Sequence, residues 1–301
     1  MTVLVGTASW ADKGLIATGR FYPRGCNTAE GRLRHYASVF PLVEVDSSWY
    51  AMPSASNSLL WRDRTPGNFT FNFKAFRLFT GHQTAPEVLP KDIQSVLGAR
   101  PGTRLYYRNV PGEIRDELWR RYAEAIAPLA EAGKLGAVLF QFAPWIRRDR
   151  KGIEHVEHCV AALREHADAL IAAEFRDRSW FADGASAATL DRERALGVVN
   201  VVVDEPQGFE NCIPPVWEVT QPELAIVRLH GRNAAAWQNT GALSSAGRFD
   251  YDYSPAELAE LADRVRMLAL DAKRTHVVFN TNREDQGPRN ALGFIDAFDG
   301  L

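Results

Sequence analysis

Charged residues end several apolar segments of this sequence, and their types suit acid/base chemistry. Glu44 lies in LVEV, Glu174 follows LIAA, Lys74 follows FTFNF and Arg228 lies in AIVRL. Two carboxyl groups in different surroundings can keep one protonated and the other ionised, as general acid/base catalysis requires. We predict that Glu44 and Glu174 act as acid and base, with Asp46 and Asp204 as the alternatives. Lys74 and Arg228 are predicted to hold an anionic group or a developing negative charge.

Polar residues at the ends of further segments extend this predicted site. His230 follows AIVRL and is predicted to relay a proton, because its ordinary pKa lies near neutrality. A structural histidine that donates to a neighbouring carboxylate would fit the same position equally well. Asn280, Asp204, Gln141 and Arg232 stand at or just after other segments and are predicted to contact substrate.

Aromatic residues follow the same segments within a few positions. We predict that Trp10, Trp49 and Tyr50 line the rim of the site, with flat faces that stack on sugar rings or bases. Three more tryptophans occupy similar positions: Trp145, Trp180 and Trp237. Part of such a ring serves only to pack loops against helices.

The elements that carry these residues predict an α/β fold. Eight segments have strand character: residues 3–9, 42–48, 69–75, 135–142, 170–176, 198–204, 225–231 and 276–282. Helical patterns lie between them, which is typical of parallel strands joined by helical crossovers. Polar groups at the carboxyl ends of so many strands indicate a TIM-type (β/α)8 barrel.

Alternation within each strand sorts the side chains into two sets. In LVEVDSS the valines must face the helices, so Glu44 shares the opposite, inward side. In FTFNFKA, Phe71 and Phe73 face outward and Lys74 inward. Arg228 falls on the inward side of its strand by the same test. A packed barrel interior prefers branched apolar residues, so these charges need either partners or a function.

Helix patterns are clearest over residues 112–132, 152–167 and 255 onward, where Ser254, Pro255 and Glu257 form a capping-box sequence. Weaker patterns cover residues 29–40 and 184–196. Residues 205–224 contain prolines and a glycine, which predicts an irregular crossover between strands six and seven. We expect one domain over residues 1–301, with an insertion near 81–111.

The composition of the chain limits the classes of partner and the cellular location that we predict for it. The net charge of −2 lacks the basic excess of proteins that bind nucleic acid mainly through phosphates. Three widely spaced cysteines, Cys26, Cys159 and Cys212, predict neither a disulfide framework nor a zinc site, which favours a cytoplasmic location. No apolar stretch of roughly 20 residues predicts a membrane span. The oligomeric state is not predicted.

The same residues allow other interpretations. Glu44 and Glu174 could neutralise Lys74 and Arg228 in a purely structural network. A divalent metal held by Glu174, Asp204 and His230 would make a phosphodiesterase or isomerase instead, although no metal ligand set or other cofactor is assigned.

A non-catalytic module is the remaining alternative. It would bind nucleic acid or a metabolite through the tryptophans and the basic run at residues 146–151. His155 and His158 have metal-ligand spacing in HVEH but are expected to be solvated surface histidines.

Several ordered motifs resemble those of the YecE-like family, known as domain of unknown function 72. They are GTASWAD, RFYP, VEVDSSWY, FNFKAFR, KLGAVLFQFAPW, AAEFRDRSWF, VRLHGRN and VFNTN, and they extend from Thr7 to about Asn290. The resemblance implies a TIM-type barrel and supplies no catalytic assignment. The charged and aromatic residues at the strand ends are what predict an enzyme, a hydrolase or lyase, that acts on a small polar, phosphorylated or sugar-like compound.

Overall fold

The computed structural model describes residues 2–98, 100, 102–182, 184–238 and 245–300. Ala99 and Pro101, in the predicted insertion, lie outside this set. Eight parallel strands form a closed barrel in chain order from β1 to β8. They are β1 (Thr2–Thr7), β2 (Leu42–Val45), β3 (Thr70–Lys74), β4 (Leu135–Gln141), β5 (Ile171–Glu174), β6 (Val199–Asp204), β7 (Ala225–Leu229) and β8 (Arg274–Phe279). The predicted (β/α)8 barrel is therefore confirmed, with one strand in each predicted segment.

Helices occupy the connections between most strands. In chain order they are α1 (Lys13–Thr18), α2 (Ala29–Val39), α3 (Ser47–Tyr50), α4 (Ala55–Asp63), α5 (Lys91–Leu97), α6 (Gly112–Glu131), α7 (Arg150–Arg164), α8 (Ser186–Leu196), α9 (Ala234–Gln238), α10 (Pro255–Ala269) and α11 (Gln286–Asp299). Short 3₁₀ turns occur at Pro86–Val88, Tyr107–Asn109, Arg178–Trp180 and Ser245–Phe249.

Helix α10 begins as its sequence predicts. The Ser254 side chain accepts from the Glu257 amide, and the Glu257 carboxylate accepts from the Ser254 amide, so the capping box is complete. Pro255 occupies the first turn, where its missing amide hydrogen costs no helical hydrogen bond.

The crossover from β6 to β7 departs from the regular pattern, as predicted. Residues 205–224 are all described and contain turns and extended backbone but no helix. The Asn200 side chain donates to the carbonyl oxygens of Val216 and Glu218, at 3.0 and 3.1 Å, and fastens this loop to β6.

The chain separates into two compact units, which we describe one at a time. The terminal unit comprises residues 1–44 and 178–301, and the central unit comprises residues 45–177. In the terminal unit, β8 pairs with both β1 and β7. In the central unit, β4 pairs with both β3 and β5, and the register shifts between Phe71 and Phe73 on β3.

Side-chain alternation follows the prediction in both units. In the central unit, the rings of Phe71 and Phe73 pack against Trp61 of α4, with centroids 6.3 and 5.9 Å apart, so both phenylalanines face a helix. In the terminal unit, Glu44 of β2 contacts Arg228 of β7. Strands β1 and β8 lie between these two strands in the barrel order, so the contact must cross the barrel interior.

Candidate functional site

A fully buried ion pair is the central feature of the terminal unit. Arg228 Nη2 donates to Glu44 Oε1 at 2.6 Å, and the two side chains are 0% and 1% exposed. Each charge compensates the other where water cannot, and removing either would leave a buried charge without its counterion. The structure therefore brings together two residues that the sequence placed in the site.

His230 and Asn280 form a second pair in the terminal unit. The Asn280 amide nitrogen lies 2.9 Å from His230 Nδ1 and can only donate, so Nδ1 accepts and the imidazole hydrogen belongs on Nε2. The His230 backbone amide donates to the carbonyl oxygen of Asp204 at 2.9 Å. His230 is completely buried. The predicted orienting residue, Asn280, thus sets the tautomer of the predicted proton relay.

Asp204 is enclosed by two donors. Arg232 contacts both of its oxygens, with Nη2 to Oδ1 at 2.8 Å, and the Tyr253 hydroxyl donates to Oδ2 at 2.7 Å. Burial, and then the negative charge of Asp204, raise the pKa of Tyr253 well above its ordinary value, so this hydroxyl remains a donor. Arg232 also approaches Glu257 and Glu260 at 3.5 Å. Tyr253 was not predicted, because it lies in the loop before α10, far in sequence from any strand end.

Glu174 is the buried carboxylate of the central unit. Its side chain is 0% exposed, and its Oε1 accepts from the Gln141 amide at 2.6 Å and from Arg176 Nη1 at 3.3 Å. Gln141 ends β4 and Glu174 ends β5, and the two residues are direct partners in the parallel register. Both donors can stabilise negative charge on the carboxylate.

Lys74 binds a carboxylate that the structural-network interpretation did not assign to it. Its Nζ donates to Asp46 Oδ1 at 2.8 Å, and the side chains are 9% and 25% exposed. Asp46 follows β2, the neighbour of β3 in the barrel order. Lys74 also lies over the Trp49 ring, with Nζ 5.0 Å from the centroid.

Arg77 is a site residue that sequence reasoning missed. Its guanidinium lies over the Trp49 ring at 4.3 Å, and its Nε is buried without a hydrogen-bond partner. Among the described residues, no carboxylate lies within 4.0 Å of it. Arg77 follows Lys74 by three positions in FNFKAFR, beyond the end of β3, so strand alternation gave no signal for it.

The pKa of His82 reflects its burial and the positive charge of this region. Burial, followed by the positive charges of Lys74 and Arg77 and then that of Arg176, lowers the pKa of His82 from 6.5 to about 3. Its ring packs edge-on against Trp49, with the centroids 5.1 Å apart, and approaches Trp145 at 6.0 Å. We call Lys74, Arg77 and Arg176, together with His82 and Trp49, the cation group. The imidazole is neutral at pH 7, first because it is buried and second because three cations oppose its protonation.

The predicted aromatic rim separates into buried and exposed members. Trp10 is buried, and its carbonyl oxygen accepts from the Tyr22 hydroxyl. Trp180 and Trp237 are 1% exposed and belong to the core, as expected for part of the ring. Tyr50 is 56% exposed, and Trp145 is 51% exposed. Trp49, a member of the cation group, is half-buried and packs edge-on against Tyr50.

A family model described as "Protein of unknown function DUF72" matches residues 4–300. The chain belongs to the DUF72 family. The resemblance that the sequence motifs predicted is therefore confirmed over nearly the whole chain. The family's description assigns no activity.

Similar proteins agree with this assignment. The chain is 29% identical to the UPF0759 protein YunF of Bacillus subtilis over 299 residues, which cover 99% of this chain and 95% of YunF. A DUF72 family protein from Enterococcus faecalis, EF0366, superposes with a TM-score of 0.80 at 26% identity and covers 99% of this chain and 96% of its own. TM1631, a DUF72 family protein from Thermotoga maritima, superposes with a TM-score of 0.76 at 28% identity. The match covers 99% of this chain and 100% of TM1631.

Potential metal ligands of this DUF72 chain come together at one place within the described ranges: Asp116, Glu165 and His166. The two carboxylates are exposed, and His166 Nε2 lies 3.0 Å from Asp116 Oδ1, an ordinary surface contact. The metal site predicted at Glu174, Asp204 and His230 stays a prediction.

Two other predictions concern the chain as a whole. Cys26, Cys159 and Cys212 are free thiols. None of the described helices is both long and apolar enough to cross a membrane.

Proposed function

We propose that this DUF72 protein is an enzyme, a hydrolase or lyase, that acts on a small anionic, sugar-like compound held by the cation group of the central unit. The observation that carries the proposal is Arg77, a guanidinium stacked on an indole without a carboxylate partner among the described residues. Arg77 is half-buried, and its Nε is shielded from water without a hydrogen-bond partner. An anionic ligand would supply the acceptor and counterion that this guanidinium lacks among the described residues. The neighbouring indole would offer its face to a sugar ring.

In this proposal Glu174 is the carboxyl group that moves a proton. Lys74 and Arg176 already have carboxylate partners, which leaves Arg77 to hold the substrate anion. Glu174 ends β5, the position at which barrel enzymes carry catalytic residues. The Gln141 amide fixes one oxygen of Glu174, so the carboxylate has a defined direction. The sequence also predicts an acid/base role for Glu44, and Glu44→Gln tests that role separately.

Thermal-shift measurements with matched ligand pairs test the binding step. Glucose 6-phosphate, glucuronate and gluconate are compared with glucose at constant ionic strength. We expect a saturable rise in melting temperature with at least one anionic compound and none with glucose. The rise should disappear in Arg77→Met and persist in Arg62→Met, because Arg62 is an arginine of the same unit that pairs with the exposed Asp63.

Turnover of the stabilising compound then tests the chemistry. Release of phosphate, or formation of an unsaturated product, should fall by about 10²- to 10⁴-fold in Glu174→Gln, the usual contribution of a general acid or base. Glu124→Gln, an exposed glutamate of α6 in the same unit, should leave the rate unchanged. A turnover rate of Glu174→Gln within twofold of the wild-type rate would contradict the role assigned to Glu174. Equal stabilisation of wild type and Arg77→Met would contradict the assigned binding group.

A further inference from the structure

A cleft of about 530 Å³ in the central unit unites three sequence features that the proposed function leaves unused. The insertion contributes Tyr106 and Arg108, the basic run contributes Arg147 and Lys151, and the HVEH segment contributes both of its histidines. This volume lies within the range of roughly 300–1,000 Å³ that is usual for small-molecule sites. The convergence of three separate stretches of chain indicates a formed cavity rather than a loop irregularity.

The cations of this cleft are available to a ligand. Within the part of the chain that the structure describes, Arg108, Arg115 and Lys151 have no carboxylate within 4.0 Å. Arg147 approaches Asp177 only at 4.0 Å and is 68% exposed. Four basic side chains in a small volume favour an anion, and guanidinium groups match phosphate oxygens in particular.

The two acidic residues that line the cleft are already engaged. Asp149 caps α7 by accepting from the Gly152 amide at 2.9 Å. Glu154 lies 3.3 Å from Arg150, one turn earlier on the helix. The carboxylates therefore have local partners, whereas Arg108, Arg115 and Lys151 have none within 4.0 Å in the described structure, and the local charge favours an anionic ligand.

Flat rings lie next to these cations. Trp145 is 51% exposed, yet its indole Nε1 donates to the Gly81 carbonyl oxygen at 3.1 Å, which fixes the ring at the edge of the cleft. The Arg108 guanidinium lies 5.7 Å from the Tyr106 ring centroid. An exposed indole held by a hydrogen bond is a stacking surface for a planar group.

The histidines contribute shape rather than charge. Burial, and then the neighbouring His158, lower the pKa of His155 to about 4, so the expectation of a solvated histidine does not hold for His155. The Tyr107 hydroxyl accepts from Trp119 Nε1 at 2.8 Å and shares a hydrogen bond of 2.7 Å with His158 Nε2. Burial also lowers the pKa of His158 below 6.5, so both imidazoles are mainly neutral at pH 7 and the positive charge of the cleft comes from arginine and lysine.

Two glycines allow the backbone segments that line the cleft to pack closely together. A Cβ at Gly152 would lie 1.9 Å from the Arg147 carbonyl oxygen, so only glycine lets the basic run fold back onto α7. Gly81 has a φ of +85°, and a Cβ there would lie 2.9 Å from Ile146 Cδ1. The backbone that carries Trp145 and Arg147 is therefore held between two positions that no larger residue fits.

We propose that this cleft binds a small phosphate-bearing compound with a planar ring, of the size of a mononucleotide. Arg108, Arg115 and Lys151 contact the phosphate, and Trp145 stacks on the ring. The proposal does not rest on the function assigned to the cation group, because the two sets of cations share no residue.

Calorimetric titration of the full-length protein with adenosine monophosphate tests the proposal, with adenosine as the uncharged comparison. We expect saturable binding of the monophosphate and at least tenfold weaker binding of adenosine. Arg108→Ala combined with Lys151→Ala should weaken monophosphate binding at least tenfold, and Trp145→Ala should weaken it at least threefold. Arg148→Ala is the matched control, since Arg148 belongs to the same basic run but does not line the cleft. The affinity of this control variant for the monophosphate should stay within twofold of the wild-type value.

Three results would overturn the proposal. They are no binding of the monophosphate by wild type, unchanged affinity in the Arg108/Lys151 double variant, and binding of a short oligonucleotide while the monophosphate does not bind. The last result would identify a nucleic-acid surface instead. Arg77→Met distinguishes this cleft from the proposed active site, because it should remove the thermal shift with the sugar anion and leave monophosphate binding intact.

Discussion

The two units treat buried charge differently. In the terminal unit, Arg228 and Glu44 are completely buried and 2.6 Å apart, so the arginine has its counterion inside the protein. In the central unit, Arg77 lies over Trp49 with no carboxylate partner among the described residues. Breaking a buried ion pair is costly, so the paired charge has a structural consequence, whereas we propose that the unpaired charge beside the aromatic ring binds a ligand. Charge alone, which the sequence displays equally in both places, does not separate these roles.

Arg228→Met should have the largest effect, because it removes the guanidinium that contacts the buried Glu44 carboxylate at 2.6 Å. We expect a loss of about 3–5 kcal/mol in the free energy of unfolding, measured by urea denaturation. Arg77→Met, the matched change in the central unit, should cost no more than about 1 kcal/mol, the value of a cation–π contact. Adding Glu44→Gln to Arg228→Met should recover part of the loss. Equal losses in the two arginine variants would remove the distinction between the units.

Glu193 sharpens the comparison as a buried carboxyl group without a partner. It is 3% exposed on α8 of the terminal unit, and neither oxygen has a hydrogen-bond partner in the described structure. Burial raises its pKa well above 4.5, against a lowering by Arg194. The native state therefore holds this proton more tightly than the unfolded state does. The raised pKa therefore contributes to the free energy of unfolding. This contribution is fully present below pH 4.5 and is lost as the pH rises from 4.5 through the raised pKa.

Glu193→Leu should stabilise the protein by about 1–3 kcal/mol at pH 8, because it removes an unsatisfied buried group. It should also flatten the fall in stability between pH 5 and pH 8, measured by urea denaturation across that range. Glu223→Leu, at an exposed glutamate of the same unit that pairs with Lys273, serves as the control and should leave the pH profile unchanged. A profile of Glu193→Leu that parallels the wild type would show that Glu193 does not carry this pH dependence.

The smallest expected effect concerns His82. Its imidazole should stay neutral down to below pH 5 in the wild type, since its pKa is about 3. Arg77→Met should raise the pKa of His82, because it removes one of the three cations that oppose protonation. NMR titration of the ring protons, assigned with a His82→Gln variant, measures the change. An unaltered or lower pKa in Arg77→Met would show that Arg77 does not contribute to the field at this site.

The sequence predicted all eight strands and several helices because their patterns are local. Alternation placed Phe71 and Phe73 against a helix and Arg228 in the interior, and both placements are confirmed. The helices α4 and α11 were not predicted. In α11, Gly287, Pro288 and Gly293 interrupt the usual helical composition, and buried contacts of Phe294 override that weak propensity.

The candidate site was predicted less completely than the barrel. Strand ends identified Glu174, Lys74 and Asp204, and three of their partners, Gln141, Asp46 and Arg232, also lie close to strand ends. Arg77 and Tyr253 lie in loops, where no periodicity relates a residue to the direction of its side chain. Lys74 shows the same limit, since its carboxylate partner proved to be Asp46 and not a glutamate.

The sequence by itself determined the (β/α)8 architecture, the family and the set of charged residues at the strand ends, because these depend on local periodicity and ordered motifs. Only the tertiary structure decided which charges are paired, which histidines are neutral and which loops share a cleft. Pairing and pKa depend on distances of a few ångströms and on burial between segments far apart in the chain, and no local pattern encodes them. Arg228 and Arg77 therefore differ not in residue type but in what lies beside them.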